Sequence, residues 1–438
     1  MAGILDGIRI LDFGTFLAGP FANMMMAQMG AEVIKVEAPK KPDGARFFCV
    51  APGWPTPDFI TGSQFFNLNN MYKKSLVLDL STDEGKDIIL DIAKDVDIIM
   101  ENMKPGAIDK VGLSYDRVKE VNPDIIFISS SACGDTGPER DFLGYASLFA
   151  AKVGLSHTTG YPDAKPSSFV GPIDSRSAAA SILAMLSCLL HRQATGEGQF
   201  VDISSQEAVA AQLGDIYLDA EVNQYDPMRC GNHRESYVPN NAYATDREDE
   251  WVTISIRHDQ DEEWKELCKV MGREDLYKAC PDYARRAAHQ AEIDEAITAW
   301  TRTRNNYDIM ELLQAHGIPS GVTLHGRDYL NNPHFLAREE FSFVSHPYLG
   351  EDCATTACWR FSETPCRAPD RAPYFGEHTE EILRDYAHLS QEKIDDMKAR
   401  KQIVCTDPAT YVIRHNPLEA QKEKERDEKY PNLRGGLK

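Results

Sequence analysis

Several common signatures are missing from this 438-residue chain, and each absence narrows what it does. Its ten cysteines include no Cys-x-x-Cys pair. Cys353, Cys358 and Cys366 come nearest to a cluster, flanked by His346 and His378, but no zinc-type ligand spacing fits, so no metal is expected. Positive charge is scarce: 47 Lys and Arg stand against 68 Asp and Glu, a formal net charge of −21. That balance argues against binding to nucleic acid or to an anionic membrane, and it requires any anionic ligand to be met by a local basic cluster. No apolar run is long; the longest, Ala178–Leu190, has 13 residues where a bilayer span needs about 20. The opening MAGILDGIRILDF carries an acid early and enters a strand pattern at once, unlike a signal or transit peptide, so the chain is expected to be cytoplasmic with reduced thiols. A solenoid-type repeat is also lacking.

What is present reads as an α/β protein with room for two or three domains. In residues 8–37, IRILDF is a strand, FGTFLAGP a loop, FANMMMAQMG a helix closed by Gly30, and AEVIKVE a second strand, a Rossmann-like opening. The loop holds Gly14 and Gly19 but neither G-x-G-x-x-G nor the Gly-Lys-Ser/Thr of a phosphate loop, so Glu37 at the end of the second strand is weak support for NAD. Residues 38–70 are rich in proline and aromatics. Pro52, Pro55 and Pro57 prevent a helix there, and Phe47, Phe48, Trp54, Phe59 and Phe65 fit either a surface loop or the wall of an apolar pocket. A second β-α-β unit follows: SLVLDL, a helix with a capping box at Ser81-x-x-Glu84 and apolar Ile88, Ile89, Ile92 and Ala93 on one face, then VDIIME. Lys73 and Lys74 precede it at a strand edge, where lysines are usually solvated but in an acidic chain also suit a phosphate. Ser114–Val121 is a short helix and IIFISSS a further strand.

The chain is organised around Gly171–Val209. Asp174 stands directly before an apolar helix, AAASILAMLSCLL, which ends in His191 and Arg192 and is stopped by Thr195-Gly196-Glu197-Gly198. QFVDIS alternates as a strand does, and Ser204-Ser205-Gln206-Glu207 opens another helix. Helix logic alone makes Asp174 an N-cap.

This stretch resembles the class III CoA-transferases, the formyl-CoA transferase and carnitine CoA-transferase family, through the Asp before the helix and HR-x-x-TG-x-GQ-x-V-x-[IV]-S-x-x-[ED]-A. LDFGTFLAGPF…GAEVIKVEAP, Lys73-Lys74, Asn102-Met103-Lys104-Pro105-Gly106-Ala107, SACGDTGPERDFLGYASL and AHGIPSGVTLHGRDYLNNPHFLARE extend the likeness over nearly the whole chain. The resemblance implies that Asp174 is a covalent nucleophile, kept ionised by its helix N-terminus. It also implies that Phe16, Leu17 and Ala18 lie against CoA and the thioester, and that Lys73, Lys74, Asn102, Met103, Lys104, Ala107 and Tyr145 line the CoA site. Acyl-CoA and a free carboxylic acid are the implied substrates, with no permanently bound cofactor and an interlocked homodimer as the assembly. Three departures stand out. Serine and alanine occupy positions 131–132, before Cys133 and Gly134, in the stretch that resembles the family's G-x-G-x-x-GP segment. Ala146 occupies the place where the family commonly has an acid after the Tyr, and Ser255-Ile256-Arg257-His258 stands where many relatives have a glycine-rich lid, leaving Arg257 or His258 to meet an acceptor carboxylate.

The domains expected are a large Rossmann-like domain at 1–206, a linker at 207–240, a smaller α+β domain at 241–325, a return linker at 326–395, and a C-terminal segment at 396–438 that packs back on the large domain and ends in a charged tail. Two other functions fit the same architecture. An α-methylacyl-CoA racemase would need a His near Gly144-Tyr145-Ala146, where Tyr145 is a poor base. A non-catalytic CoA-binding protein would have no need of Asp174.

Overall fold

The structure is a computed structural model that describes residues 3–48, 61–168, 171–346 and 350–407. It divides into two units: residues 1–153, 168–217 and 330–438 form the larger, and residues 154–167 and 218–329 the smaller. The small unit thus begins before the expected 241 and also takes in 154–167. The expected return linker, 326–395, carries strands and helices of its own. The charged tail from 408 onward, like Trp54 and Phe59, lies outside the described residues.

In the large unit the chain runs β1 (Arg9–Asp12), α1 (Ala18–Gln28), β2 (Glu32–Glu37), α2 (Gln64–Asn69), β3 (Lys74–Val77), α3 (Asp83–Ala93), β4 (Ile98–Glu101), α4 (Ala107–Lys110), α5 (Tyr115–Val121) and β5 (Ile126–Ser131). Then come α6 (Ala146–Lys152), α7 (Leu155–Thr158, in the small unit), α8 (Gly171–Thr195), β6 (Phe200–Ser204) and α9 (Ser205–Ala210). Six strands form one sheet in the order β3-β2-β1-β4-β5-β6, with every pairing parallel. This is the doubly wound order whose direction reverses between β1 and β4.

Alternation along the strands builds both faces of the sheet. Leu11, Ile34, Leu76, Ile99 and Phe127 point to one side and meet Ile88, Ile89 and Ile92 of α3. Ile10, Val33, Ile98, Met100, Ile126 and Ile128 point to the other and meet Ala22 and Met26 of α1 with Ala178, Met185 and Cys188 of α8. The cap of α3 differs from the expected box: Thr82, not Ser81, accepts from the Gly85 amide, while the Ser81 hydroxyl donates to Asp79. Edge strand β3 is closed by the C-terminal segment. Ser75 N donates to His378 Nδ1 at 3.2 Å and Val77 N to Thr379 Oγ1 at 3.0 Å, so its outward N–H groups offer no template for another strand. Helices Thr379–Asp385 and Gln391–Ala399 bury Ile382, Leu383, Ile394 and Met397 in the same core.

Helix α8 begins at Gly171, seven residues before the apolar run, and reaches Thr195. Its length and composition alone would suffice to cross a bilayer, which the 13-residue run did not foreshadow. Here Ala178, Ser181, Met185 and Cys188, spaced 3, 4 and 3 apart, bury one stripe against the large unit, while Leu183 and Leu190 on the other side are 68% and 69% exposed. In the small unit, β7 (Tyr237–Ala244), β8 (Trp251–Arg257) and β9 (Ser320–Val322) form an antiparallel sheet over a core centred on Trp264, Ile254, Ile297 and Leu313. Arg257 pairs with its neighbour Asp259, and the His258 ring meets Tyr283 edge-on at 6.0 Å, so both side chains engage their own unit.

The α8–β6 connection depends on a close approach. A Cβ on Gly198 would overlap the carbonyl oxygens of Asp124 and Ile125 at the entry to β5. Gly198→Ala should therefore strain the β5–β6 pairing by about 1–3 kcal/mol, read as a lowered midpoint in denaturant unfolding. An unchanged midpoint would refute the close-approach argument.

Candidate active site

The sheet reversal leaves a crevice between the carboxyl ends of β1 and β4, and the two turns lining it are joined there. Asn102, the first residue after β4, accepts the Thr15 N–H on Oδ1 at 2.6 Å and donates from Nδ2 to the Thr15 carbonyl at 3.0 Å. Asp12 Oδ1 accepts the Gly14 N–H at 2.8 Å, and Asp43 Oδ1 accepts the Phe16 N–H at 3.0 Å. Lys35 Nζ donates to the Gly14 carbonyl and, at 2.8 Å, to Asp43 Oδ2. Side chains thus fix five backbone groups in three consecutive residues. They hold Phe16 at φ +60°, a conformation that costs free energy unless its surroundings impose it. Helix α1 starts directly afterwards at Ala18. Leu17 offers it no side-chain cap and no acid stands in its first turn, which leaves its first N–H groups for a ligand at the crevice.

The charges under this loop are almost wholly buried. Lys73 Nζ donates to Asp12 Oδ2 at 2.7 Å, to the Pro20 carbonyl at 2.8 Å and to Asn70 Oδ1 at 2.8 Å. Burial pulls the Lys73 ammonium down to about 8, against the pull of Asp12. Burial alone would raise the Asp12 carboxyl, yet Lys73 and Lys35 hold it below the usual carboxylate range. Arg46 forks onto Glu37 at 2.8 and 2.6 Å. The expectation that Lys73 and Lys74 form a phosphate site is corrected here. All three Lys73 donors are used inside the protein, and half-exposed Lys74 is paired with Glu381 at 2.7 Å and Glu32 at 3.5 Å. Glu37, weighed as a ribose ligand, serves as the partner of Arg46.

Around the loop stands an aromatic group. The Phe16 ring meets Phe48 at 6.1 Å and Tyr145 at 6.2 Å, both edge-on, and Phe48 lies 5.7 Å from Phe65. Tyr145 is 73% exposed, whereas Ala146 is buried as the first residue of α6. Beyond Tyr145 an apolar cleft of about 230 Å³ opens between Cys133, Phe142, Leu143 and Phe149. Met103 follows Asn102 in the same turn. Lys104 pairs at the surface with Asp141 at 3.1 Å, and Ala107 opens α4 behind Gly106, whose φ of +75° requires glycine. Phe16, Leu17, Ala18, Asn102 and Tyr145 are therefore gathered around one loop, and Lys73 underpins it.

Because β6 is parallel to β5, α8 must run back along the sheet, and its N-terminus lies at the same carboxyl edge as this loop. Asp174 is the fourth residue of the helix, so it is not an N-cap. Among the described residues its carboxylate has no hydrogen-bond partner. Burial pushes it up to about 6, opposite to the downward pull expected of a helix N-terminus. At neutral pH it is still mainly ionised. Sequence reasoning missed Asp12, Lys35, Asp43 and Asn70. The only sign of them was the acid ending strand LDF just before Gly14. Among the described residues no three His, Cys, Asp or Glu side chains are grouped to hold a metal.

The family profile for CoA-transferase family III matches residues 5–379. The chain belongs to that family. A succinyl-CoA–D-citramalate CoA-transferase of Chloroflexus aurantiacus is 33% identical over 91% of this chain and 98% of its own length. A formyl-CoA:oxalate CoA-transferase of Streptomyces avermitilis is 29% identical over 91% of this chain and 99% of its own. Among solved structures, a CaiB/BaiF family protein from Brucella suis superposes with a TM-score of 0.81 at 26% identity, covering 88% of this chain and all of that one. This family III CoA-transferase accordingly has the fold its sequence implied, a doubly wound parallel sheet joined to a smaller α+β unit.

The two lysines should behave differently on truncation. Lys73→Ala leaves Asp12 buried without its counter-charge and should cost about 3–5 kcal/mol of stability. Lys74→Ala breaks only a partly exposed pair and should cost less than about 1 kcal/mol. Urea unfolding of both variants measures the contrast, and equal losses would contradict the buried-strut assignment.

Proposed function

We propose that this enzyme moves CoA from an acyl-CoA donor to a free carboxylic acid through covalent intermediates on Asp174. What carries the reading is a partly buried carboxylate without a hydrogen-bond partner among the described residues, at the same sheet edge as the clipped β1–α1 loop. Loss of solvation makes a carboxylate a better nucleophile while leaving it mainly charged at neutral pH.

The carboxylate of Asp174 attacks the thioester carbonyl, and the C–S bond breaks to give a mixed anhydride and CoA thiolate. The thiolate attacks the Asp174 carbonyl and expels the donor acid as its carboxylate, leaving an aspartyl-CoA thioester. The acceptor carboxylate then displaces CoA thiolate from that thioester, forming a second anhydride. Attack of the thiolate on the acceptor's carbonyl releases the new acyl-CoA and restores Asp174. Each tetrahedral stage carries an oxyanion, for which the unclaimed N–H groups at the start of α1 are suitable donors. The Phe16–Ala18 backbone and Asn102 face the CoA portion in this reading, and Tyr145 closes the side of the thioester. Since relatives are named for citramalate and oxalate, we take short dicarboxylic acids as the acceptor class to test first.

Protein mixed with acyl-CoA and no acceptor should gain the mass of CoA at Asp174. Hydroxylamine should then convert that residue to a hydroxamate. Asp174→Asn should lose both the adduct and transfer, and kcat of the wild type should fall with decreasing pH below about 6. Stability supplies an independent sign. The folded state holds the Asp174 proton more tightly than the unfolded chain, so stability falls as pH rises from the model-peptide value of 3.8 to about 6. The Asn variant lacks that loss and should melt higher than wild type above pH 6. Exchange of the substrate's α-hydrogen with deuterated solvent, with no covalent adduct, would replace this reading with a racemase.

The same reading includes a homodimer. Leu183, Leu190, Leu218 and Val222 are each more than 60% exposed, a degree of apolar exposure that a second copy would relieve. Light scattering at micromolar concentration should give twice the chain mass, and a monomer would remove the dimer from the proposal.

A further inference from the structure

Glu101 ends β4 and is 1% exposed. Strand register sets it opposite Ser129 of β5, whose hydroxyl donates to Glu101 Oε1, while Oε2 accepts the Met103 N–H at 2.6 Å. Its chain neighbour, Asn102, is the residue that fixes both backbone groups of Thr15. One buried carboxylate therefore ties the turn after β4 to β5 on one side and, through Asn102, to the β1–α1 loop on the other. The mechanism proposed above makes no use of it.

We infer that Glu101 is a positioning residue for CoA binding, which in its charged form holds Asn102 and, through it, the Thr15–Phe16 backbone in the shape that receives the coenzyme. This rests on the reading of that loop as the CoA face. The ionised carboxylate accepts from both Ser129 and Met103, and a charge-assisted bond is the stronger kind. Protonation removes the charge from this bridge and weakens its hold on Met103 N. Burial, with the acids Asp135 in the turn after β5 and Asp109 in α4 adding to it, pushes Glu101 up to about 7, so this exchange falls within the working range of pH. Asp174 is also pushed up by burial, to about 6, but it lies in α8 and, among the described residues, makes no hydrogen bond to this bridge. The two acids therefore separate by what they govern: Glu101 coenzyme affinity, Asp174 turnover.

Calorimetric titration with free coenzyme A between about pH 6 and 8.5 tests this, comparing wild type with Glu101→Gln, which keeps an acceptor for Met103 and a hydrogen-bonding group for Ser129 but cannot titrate. The coenzyme's own phosphate titrates in both and cancels in the comparison. Wild-type Kd should rise roughly three- to tenfold more than that of the variant as pH falls, within the tenfold per unit that one linked proton allows. The kcat limb below about pH 6 should be the same in both. Ser129→Ala, which removes one anchor and a bond that holds the Glu101 carboxyl down, should weaken binding and move the slope to higher pH, and it carries the test if the Gln variant does not fold. Parallel Kd profiles in wild type and Glu101→Gln would overturn the role of Glu101 alone. No coenzyme binding at any pH would instead overturn the reading of the loop on which it rests.

Discussion

The buried ion pair between Asp12 and Lys73 is the constraint on which the site depends. Its two charges are sealed from water, so neither is tolerated without the other. Lys73 also reaches the Pro20 carbonyl in α1 and Asn70 beyond α2, and Asp12 reaches the Gly14 amide. The pair thereby joins β1, the start of α1 and the approach to β3 at one point. Lys35 and Asp43 repeat the arrangement one strand away and grip the same loop from its other side. Buried charge is a costly way to hold a loop, and an apolar core would pack as well. What charge adds is direction, because each hydrogen bond aims a particular backbone group, which a ligand-facing loop in a strained conformation requires.

Much of this was legible in the sequence where periodicity was strong. The strands of the parallel sheet appear as short apolar runs in a β-α-β rhythm, while their order in the sheet came only from the structure. Asp174 was visible as a single acid at the head of a long apolar helix, but that pattern alone read as an N-cap, and only the family resemblance pointed to chemistry. Less visible were effects that depend on which residues meet in space. Lys73 and Lys74 are adjacent in the chain, yet strand alternation sends one into the interior and the other to the surface. No local pattern distinguishes them until Asp12, 61 residues away, is known to lie beneath. The same holds for Glu101, which reads as the polar end of a strand and becomes a bridge only through its register with Ser129.

Asp174 shows two physical effects in opposition. A helix N-terminus favours the charged form, and burial disfavours it; here burial prevails. A carboxylate held deeply below its ordinary range would be well solvated by donors and sluggish towards a thioester. One pushed far above it would be protonated at neutral pH. On the proposed reading a value of about 6 lies between these failures, and it fits a side chain without hydrogen-bond partners among the described residues better than a conventional cap would.

Helix α8 belongs to two surfaces at once. Its buried stripe lies on the sheet, its first turn carries Asp174, and its outer side presents Leu183 and Leu190. A rigid rod transmits displacement along its whole length, so whatever covers the leucines also bears on the carboxylate about two to four turns away. On the proposed reading, in which Asp174 reacts and a second copy covers the leucines, specific activity would depend on the enzyme's own concentration, because dilution would uncover the outer side and release the helix that carries Asp174.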